Sequence, residues 1–231
     1  MSSRVGVAVF PGTWSDRDCL YAARLLGADA VPLWHQDRDL QGSELVILPG
    51  GFAYGDYLRA GAVARFAPLM EAVADHARAG GAVLGICNGF QILCEAGLLP
   101  GALLRNQSLQ FRCQPTTLRI TSPRGLLAGL ADGERLTLPI SHGEGRYHAS
   151  LETLARLEAE GRVALRYCDE GGRLTAAANP NGSLANIAGV LNETGNVLGM
   201  MPHPERACEP LLGSSDGLRL LRSALRQPSL A

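Results

Sequence analysis

Short uninterrupted apolar runs alternate along this chain with longer stretches whose apolar positions recur at helical spacing, and glycine or proline stands at most junctions. Runs this short, apolar on both sides, predict strands buried on both faces of a sheet, and the spaced stretches predict helices that cover it. Val5 to Phe10 is the first predicted strand, closed by Pro11-Gly12. Ser15 or Asp16 should cap a helix to about Leu26, since Leu20, Ala23 and Leu26 share a face and Gly27 follows. Ala30 to Trp34 and Glu44 to Leu48 are the next strands, and the second of them runs into Pro49-Gly50-Gly51-Phe52. Asp56 to Phe66 and Pro68 to Ala79 read as helices. Ala82 to Ile86 is a fourth strand, which stops at Cys87 as a further helix begins.

Beyond Leu103 the pattern is mixed. Leu118 to Ile120, Leu136 to Ile140 and Val163 to Tyr167 have strand character, and a helix is expected from Ser150 to Glu160. Between them lies the polar, glycine-bearing stretch Ser141 to Tyr147, which reads as a mobile loop. Ala185 to Leu191 and Asn196 to Met200 are the last strands, followed by Pro202-His203-Pro204-Glu205-Arg206 and a closing helix from about Leu211 to Leu225. No repeat, low-complexity segment or linker divides the chain, so residues 1–231 are expected to form a single α/β domain. Its core would be a doubly wound, mostly parallel sheet with helices on both faces.

Composition narrows the chemistry. The net charge of −1 over 231 residues argues against general affinity for nucleic acid or an anionic membrane, which need a concentrated basic surface. All 21 basic residues are arginine, which excludes a Walker A phosphate loop, Schiff-base catalysis and a lysine general base. The six cysteines form no Cys-x-x-Cys pair and no metal-ligand spacing with the five histidines, so no metal site is expected and the thiols read as reduced, in a cytoplasmic protein. The apolar stretch after Arg4 is too short for a signal-peptide core, and no run of about 18 apolar residues occurs.

Cys87 is the first candidate for chemistry. Gly85 and Gly89 flank it at minus two and plus two, as a sharp strand-to-helix reversal requires, and a helix N-terminus favours the reactive thiolate. A cysteine nucleophile needs a proton carrier and a group that orients the carrier. His203 fits best: the prolines at 202 and 204 keep its segment extended, so His203 and Glu205 point to the same side. The N–H groups of Asn88, next after the nucleophile, and of Gly51, at a neighbouring strand end, are the natural oxyanion donors. His142, beside Glu144, is a competing proton carrier, but Gly143 and Gly145 make its loop better suited to gating or partner contact. His35 and His76 are read as structural or solvent-facing.

Pro49-Gly50-Gly51, Gly85-x-Cys87-x-Gly89-x-Gln91 and His203-x-Glu205, in this order and at these separations, resemble the class I (triad) glutamine amidotransferases. The likeness spans nearly the whole chain. Gly50 to Ala62, Asn106-x-Ser108-x-x-Phe111, Pro139 to Tyr147 and Gly195 to Arg206 are most similar to the glutaminase subunits of phosphoribosylformylglycinamidine synthases. One departure is Thr13-Trp14-Ser15 after the first strand, where that family commonly has asparagine. The resemblance implies a flavodoxin-like fold and a Cys87-His203-Glu205 triad that releases ammonia from glutamine. It also implies a glutamine pocket lined by Gln91, with Asn106 and Ser108 as further candidates. Synthesis of the amidine needs ATP and Mg²⁺, which the resemblance places on a large ATP-binding synthase subunit working with a small accessory subunit, and no cofactor is expected on this chain. Asp56, Arg59, His142 and Arg146 are candidates for partner contact or gating. Two readings compete at this point: a cysteine hydrolase of the DJ-1/PfpI type, and the glutaminase subunit of another amidotransferase.

Overall fold

The computed structural model describes residues 3–226. The chain begins with β1 (Arg4–Val9), α1 (Asp16–Leu25), β2 (Asp29–Trp34), β3 (Leu45–Leu48), α2 (Pro68–Arg78), β4 (Ala82–Ile86) and α3 (Asn88–Glu95). It continues through β5 (Ala102–Leu104), β6 (Arg112–Ile120), β7 (Arg135–His142), β8 (Arg146–His148), α4 (Leu151–Ala159) and β9 (Val163–Cys168). β10 (Ile187–Leu191), β11 (Val197–Met200) and α5 (Asp216–Leu225) complete it.

Nine strands form one sheet in the order β2-β1-β3-β4-β11-β10-β9-β6-β7, and β5 pairs with β8 apart from it. The five strands from β2 to β11 are mutually parallel. From β11 onward each pair is antiparallel, so only β10 and β6 run against the rest. β3, β4 and β11 are almost wholly buried, which is why their sequences are continuous apolar runs without alternation.

The crossover from β1 to β2 moves one way along the sheet and that from β3 to β4 the other. Right-handed connections therefore put α1 and α2 on opposite faces, and open a crevice where the order reverses between β1 and β3. The loops leaving these two strands are joined across that crevice: Trp14 N–H donates to Gly50 O at 3.1 Å and Phe52 N–H to Gly12 O at 2.9 Å. α3 packs over β3, β4 and β11, whereas α1 and α5 pack together on the other face.

Three expectations fail here. Asp56 to Phe66 is not a helix but two isolated 3₁₀ turns, Ala53–Asp56 and Ala64–Phe66. Tyr54, Asp56 and Leu58 have φ of 54°, 53° and 70°, and left-handed residues cannot continue a right-handed helix. Ser15 stands at the N-cap of α1 as expected, but its side chain makes no capping bond; its hydroxyl instead accepts from the Arg206 guanidinium at 3.1 Å. The closing helix starts at Asp216 rather than Leu211, because Gly213 at φ 93° ends a short turn that leaves Leu211 and Leu212 exposed. Ser150 does cap α4, accepting from Thr153 N–H at 3.1 Å.

Candidate active site

Cys87 sits between β4 and α3 at φ 51°, ψ −105°, a strained conformation for a residue with a side chain. Its N–H donates to Met200 O at 2.7 Å, which ties the elbow to the neighbouring strand β11. The flanking glycines are sterically required. A Cβ on Gly85 would come within 2.7 Å of Gly89 O, and one on Gly89 would run into the Leu48 carbonyl of β3. The thiol, at a helix N-terminus, donates to the Ser141 carbonyl at 3.7 Å.

β11 ends beside β4, and the segment after it carries His203 and Glu205 to the same rim; His203 is extended, but Pro204–Arg206 forms a 3₁₀ turn where the flanking prolines predict a continuous extended run. His203 N–H donates to Pro139 O at 2.8 Å, and its Nδ1 lies 2.6 Å from Glu205 Oε1, with both side chains buried. His203 Nε2 makes no hydrogen bond, although the Cys87 sulfur is close enough to influence the ring's titration. Burial opposes an imidazolium here, but the Glu205 carboxylate and the Cys87 side chain outweigh it and hold the His203 pKa above its ordinary value, at about 10. Gly50 supports the ring from below: a Cβ there would stand 2.6 Å from His203 Cε1.

A cavity of about 210 Å³ opens in front of the thiol, lined by residues that include Gly51, Phe52, Asp56, Cys87, Gln91, Phe111 and Glu144. It is smaller than the ~300–1,000 Å³ typical of drug-sized ligands, and so suits an amino acid better than a nucleotide. Asn88 is the first residue of α3, which leaves its N–H without an acceptor in the helix. Among the described residues no hydrogen bond takes the Gly51 N–H either. Two free backbone donors, on Gly51 at the cavity wall and on Asn88 next after Cys87, thus stand near the thiol, an arrangement able to stabilise a tetrahedral oxyanion.

Of the pocket candidates, Gln91 lines the cavity and donates from Nε2 to Glu144 O at 2.6 Å. Asn106 does not reach the cavity. It is fully buried, and its amide donates to Gln110 O at 2.8 Å and His142 O at 2.9 Å while its oxygen accepts from Gly145 N–H at 3.0 Å, so it shapes the turn after β7. Ser108 is exposed outside the cavity, its hydroxyl accepting from Gln110 N–H at 3.4 Å.

The expected mobile loop around His142 is also corrected. His142 is buried at the end of β7 between Asn106 Oδ1, 3.1 Å from Nδ1, and Asn181 Nδ2, 3.5 Å from Nε2. Burial, reinforced by the charge of His203, lowers its pKa to about 4, so although it lines the cavity it stays neutral and is too weak a base to compete as the proton carrier. Arg146 lies half-buried on β8, and Arg59 is exposed, paired in two bonds with Glu95 at 2.5 and 2.6 Å. His35 is buried, with Nδ1 2.6 Å from the Tyr54 hydroxyl, as a structural histidine would be; His76 is half-buried in α2.

Sequence reasoning missed the Ser141 carbonyl that receives the thiol, because a backbone acceptor leaves no mark on residue choice. It missed Asn181 as well, since nothing near that position signals a partner for His142. No group of three or more His, Cys, Asp or Glu side chains among the described residues is arranged to hold a metal ion.

Residues 2–216 match the CobB/CobQ-like glutamine amidotransferase domain family. The chain belongs to this family. Two amidotransferase relatives carry the name phosphoribosylformylglycinamidine synthase subunit PurQ. The protein from Moorella thermoacetica is 57% identical over 222 residues, spanning 95% of this chain and 94% of its own. That from Rubrobacter xylanophilus is 58% identical over 223 residues, spanning 96% and 97%. The solved structure of PurLQS from Thermotoga maritima contains a chain that superposes with a TM-score of 0.86 at 42% identity, covering 97% of this chain and 98% of that one. The Cys87 thiol, the His203–Glu205 pair and the cavity lie together where β4, β11 and β7 end.

Proposed function

We propose that the chain is the glutaminase subunit of a phosphoribosylformylglycinamidine synthase, hydrolysing glutamine to glutamate and ammonia for use by an ATP-dependent synthase subunit. That partner would convert formylglycinamide ribonucleotide to formylglycinamidine ribonucleotide in purine biosynthesis. The observation that carries the reading is a thiol on a strained elbow, faced by a buried His203–Glu205 pair and opening on an amino-acid-sized cavity. In the reaction His203 accepts the Cys87 proton, and the thiolate attacks the glutamine side-chain carbonyl. The N–H groups of Gly51 and Asn88 hold the oxyanion while Glu205 keeps the imidazole oriented and stabilises its charged form. His203 then protonates the departing ammonia, leaving a thioester on Cys87, and later takes a proton from the water that releases glutamate.

The reading assigns ATP and Mg²⁺ to the large synthase subunit, and no cofactor to a chain that has no lysine for a phosphate loop. Phe52 and Phe111 line the cavity and are exposed, and Trp14, Tyr57 and Leu58 are exposed on the loops after β1 and β3, apolar surface suited to being covered by the synthase and its small accessory subunit. No helix of the described residues is long and apolar enough to cross a membrane, and we place the subunit in the cytoplasm.

The test is ammonia release from glutamine by the purified chain, alone and mixed with its synthase subunits. Release should be low alone, rise in the assembly and disappear with Cys87→Ala. Ammonia production unchanged by that substitution in the assembly would overturn the assignment.

A further inference from the structure

The Asn88 side chain is buried behind the elbow and makes three hydrogen bonds that the reaction scheme leaves without a purpose. Its Oδ1 accepts from Ala53 N–H at 2.9 Å, which fixes the amide orientation, and its Nδ2 donates to Asp56 Oδ1 at 3.1 Å and Gln91 Oε1 at 2.9 Å. Gln91, oriented in turn, donates to Glu144 O. Asn88 thus joins the loop after β3 to the first turn of α3, and through Gln91 the link extends to the turn after β7.

The loop it holds cannot hold itself. Residues 54, 55, 56 and 58 all have positive φ, three of them not glycine, a conformation that persists only when the surroundings impose it. Gly51, carrying one oxyanion donor, lies two residues before the Ala53 N–H that Asn88 captures, and the other donor is the N–H of Asn88 itself. Tyr57 and Leu58, further along the same loop, are 76% and 90% exposed.

We propose that the Asn88 carboxamide is a positioning residue that sets the separation of the two oxyanion donors, and that through Asp56 it links this separation to the exposed Tyr57–Leu58 tip, where a docked subunit can tighten it. This rests on the glutaminase reading and deepens it. Removing the clasp loosens the Gly51 loop but leaves the thiol, His203 and Glu205 where they are. Transition-state stabilisation falls while nucleophilicity does not.

Asn88→Ala and Asp56→Ala, each assembled with the synthase subunits, are compared with the unmodified protein in three measurements. Ammonia release should lose about 100-fold in kcat with Asn88→Ala and about tenfold with Asp56→Ala, both with KM changed less than threefold, and Asp56→Asn, which keeps the acceptor oxygen, should restore most of the second loss. Alkylation of Cys87 by iodoacetamide, which needs the nucleophile but no oxyanion hole, should stay within twofold. Hydrogen exchange at the Ala53 amide should accelerate at least tenfold in the full chain with Asn88→Ala. A kcat within twofold of the original, or equal losses in alkylation and turnover, overturns the proposal. Faster exchange and normal alkylation in a protein that releases no ammonia even unmodified would instead refute the glutaminase reading, and this role for Asn88 with it.

Discussion

Gly50→Ala tests most directly whether the site works by rigid placement of the imidazole. Gly50 does not have a positive φ, so the substitution adds a methyl group and no backbone strain. That methyl would stand 2.6 Å from His203 Cε1 and 3.1 Å from Ser15 Oγ, against 3.4 Å for ordinary contact. The ring must therefore retreat by about 0.8 Å. It cannot do so freely, because Nδ1 is bonded to Glu205, the backbone N–H to Pro139, and prolines flank the residue on both sides. A misplacement of about 1 Å costs on the order of 10²-fold in rate, so kcat for ammonia release should fall roughly 30- to 100-fold. Overpacking of this size costs about 1–3 kcal/mol, or roughly 2–12 °C in melting midpoint for a domain of this length, so the protein stays folded at 25 °C. Steady-state ammonia release by the assembled enzyme, with thermal melting in parallel, separates the two effects. Turnover within twofold of the original in a folded variant would refute the claim that His203 is held by Gly50.

His203 titrates near 6.5 in the unfolded chain and at about 10 when folded, so the stability it contributes is complete below pH 6.5 and is lost as the pH rises through about 10. Glu205→Gln should lower the melting midpoint most near pH 6.5, with the gap closing by pH 10; a gap that does not vary with pH would contradict the pairing. Gly125, at φ 52°, has no room for a Cβ against the Gly195 carbonyl, far from the cavity, so Gly125→Ala should lower the midpoint by several degrees and leave KM for glutamine unchanged. A shift in KM would show that this contact reaches the site.

Much of this was legible in the residues. Gly85-x-Cys87-x-Gly89 predicts an elbow because only glycines tolerate the approach of α3 to β3, and the carbonyl of Leu48 stands where a Cβ on Gly89 would go. His203 and Glu205 are legible as a pair, but their 2.6 Å contact is made by the 3₁₀ turn Pro204–Arg206 that follows an extended His203, not by the extended alternation that the prolines predict. The apolar runs likewise mark β1, β3, β4 and β11 as buried, since a strand covered on both faces admits no polar residue. Periodicity could not foresee the loop after Phe52. Its residues Asp56 to Phe66 have helical spacing, but left-handed conformations at Tyr54, Asp56 and Leu58 are imposed by partners distant in the chain, Asn88 among them. The sequence by itself thus determined which residues can do chemistry and where the elbow and the buried strands lie. Only the tertiary structure decided that His142 is locked and neutral between Asn106 and Asn181, that Asn106 supports the site instead of lining it, and that Ser141 O faces the thiol, because burial and long-range hydrogen bonds depend on which strands become neighbours.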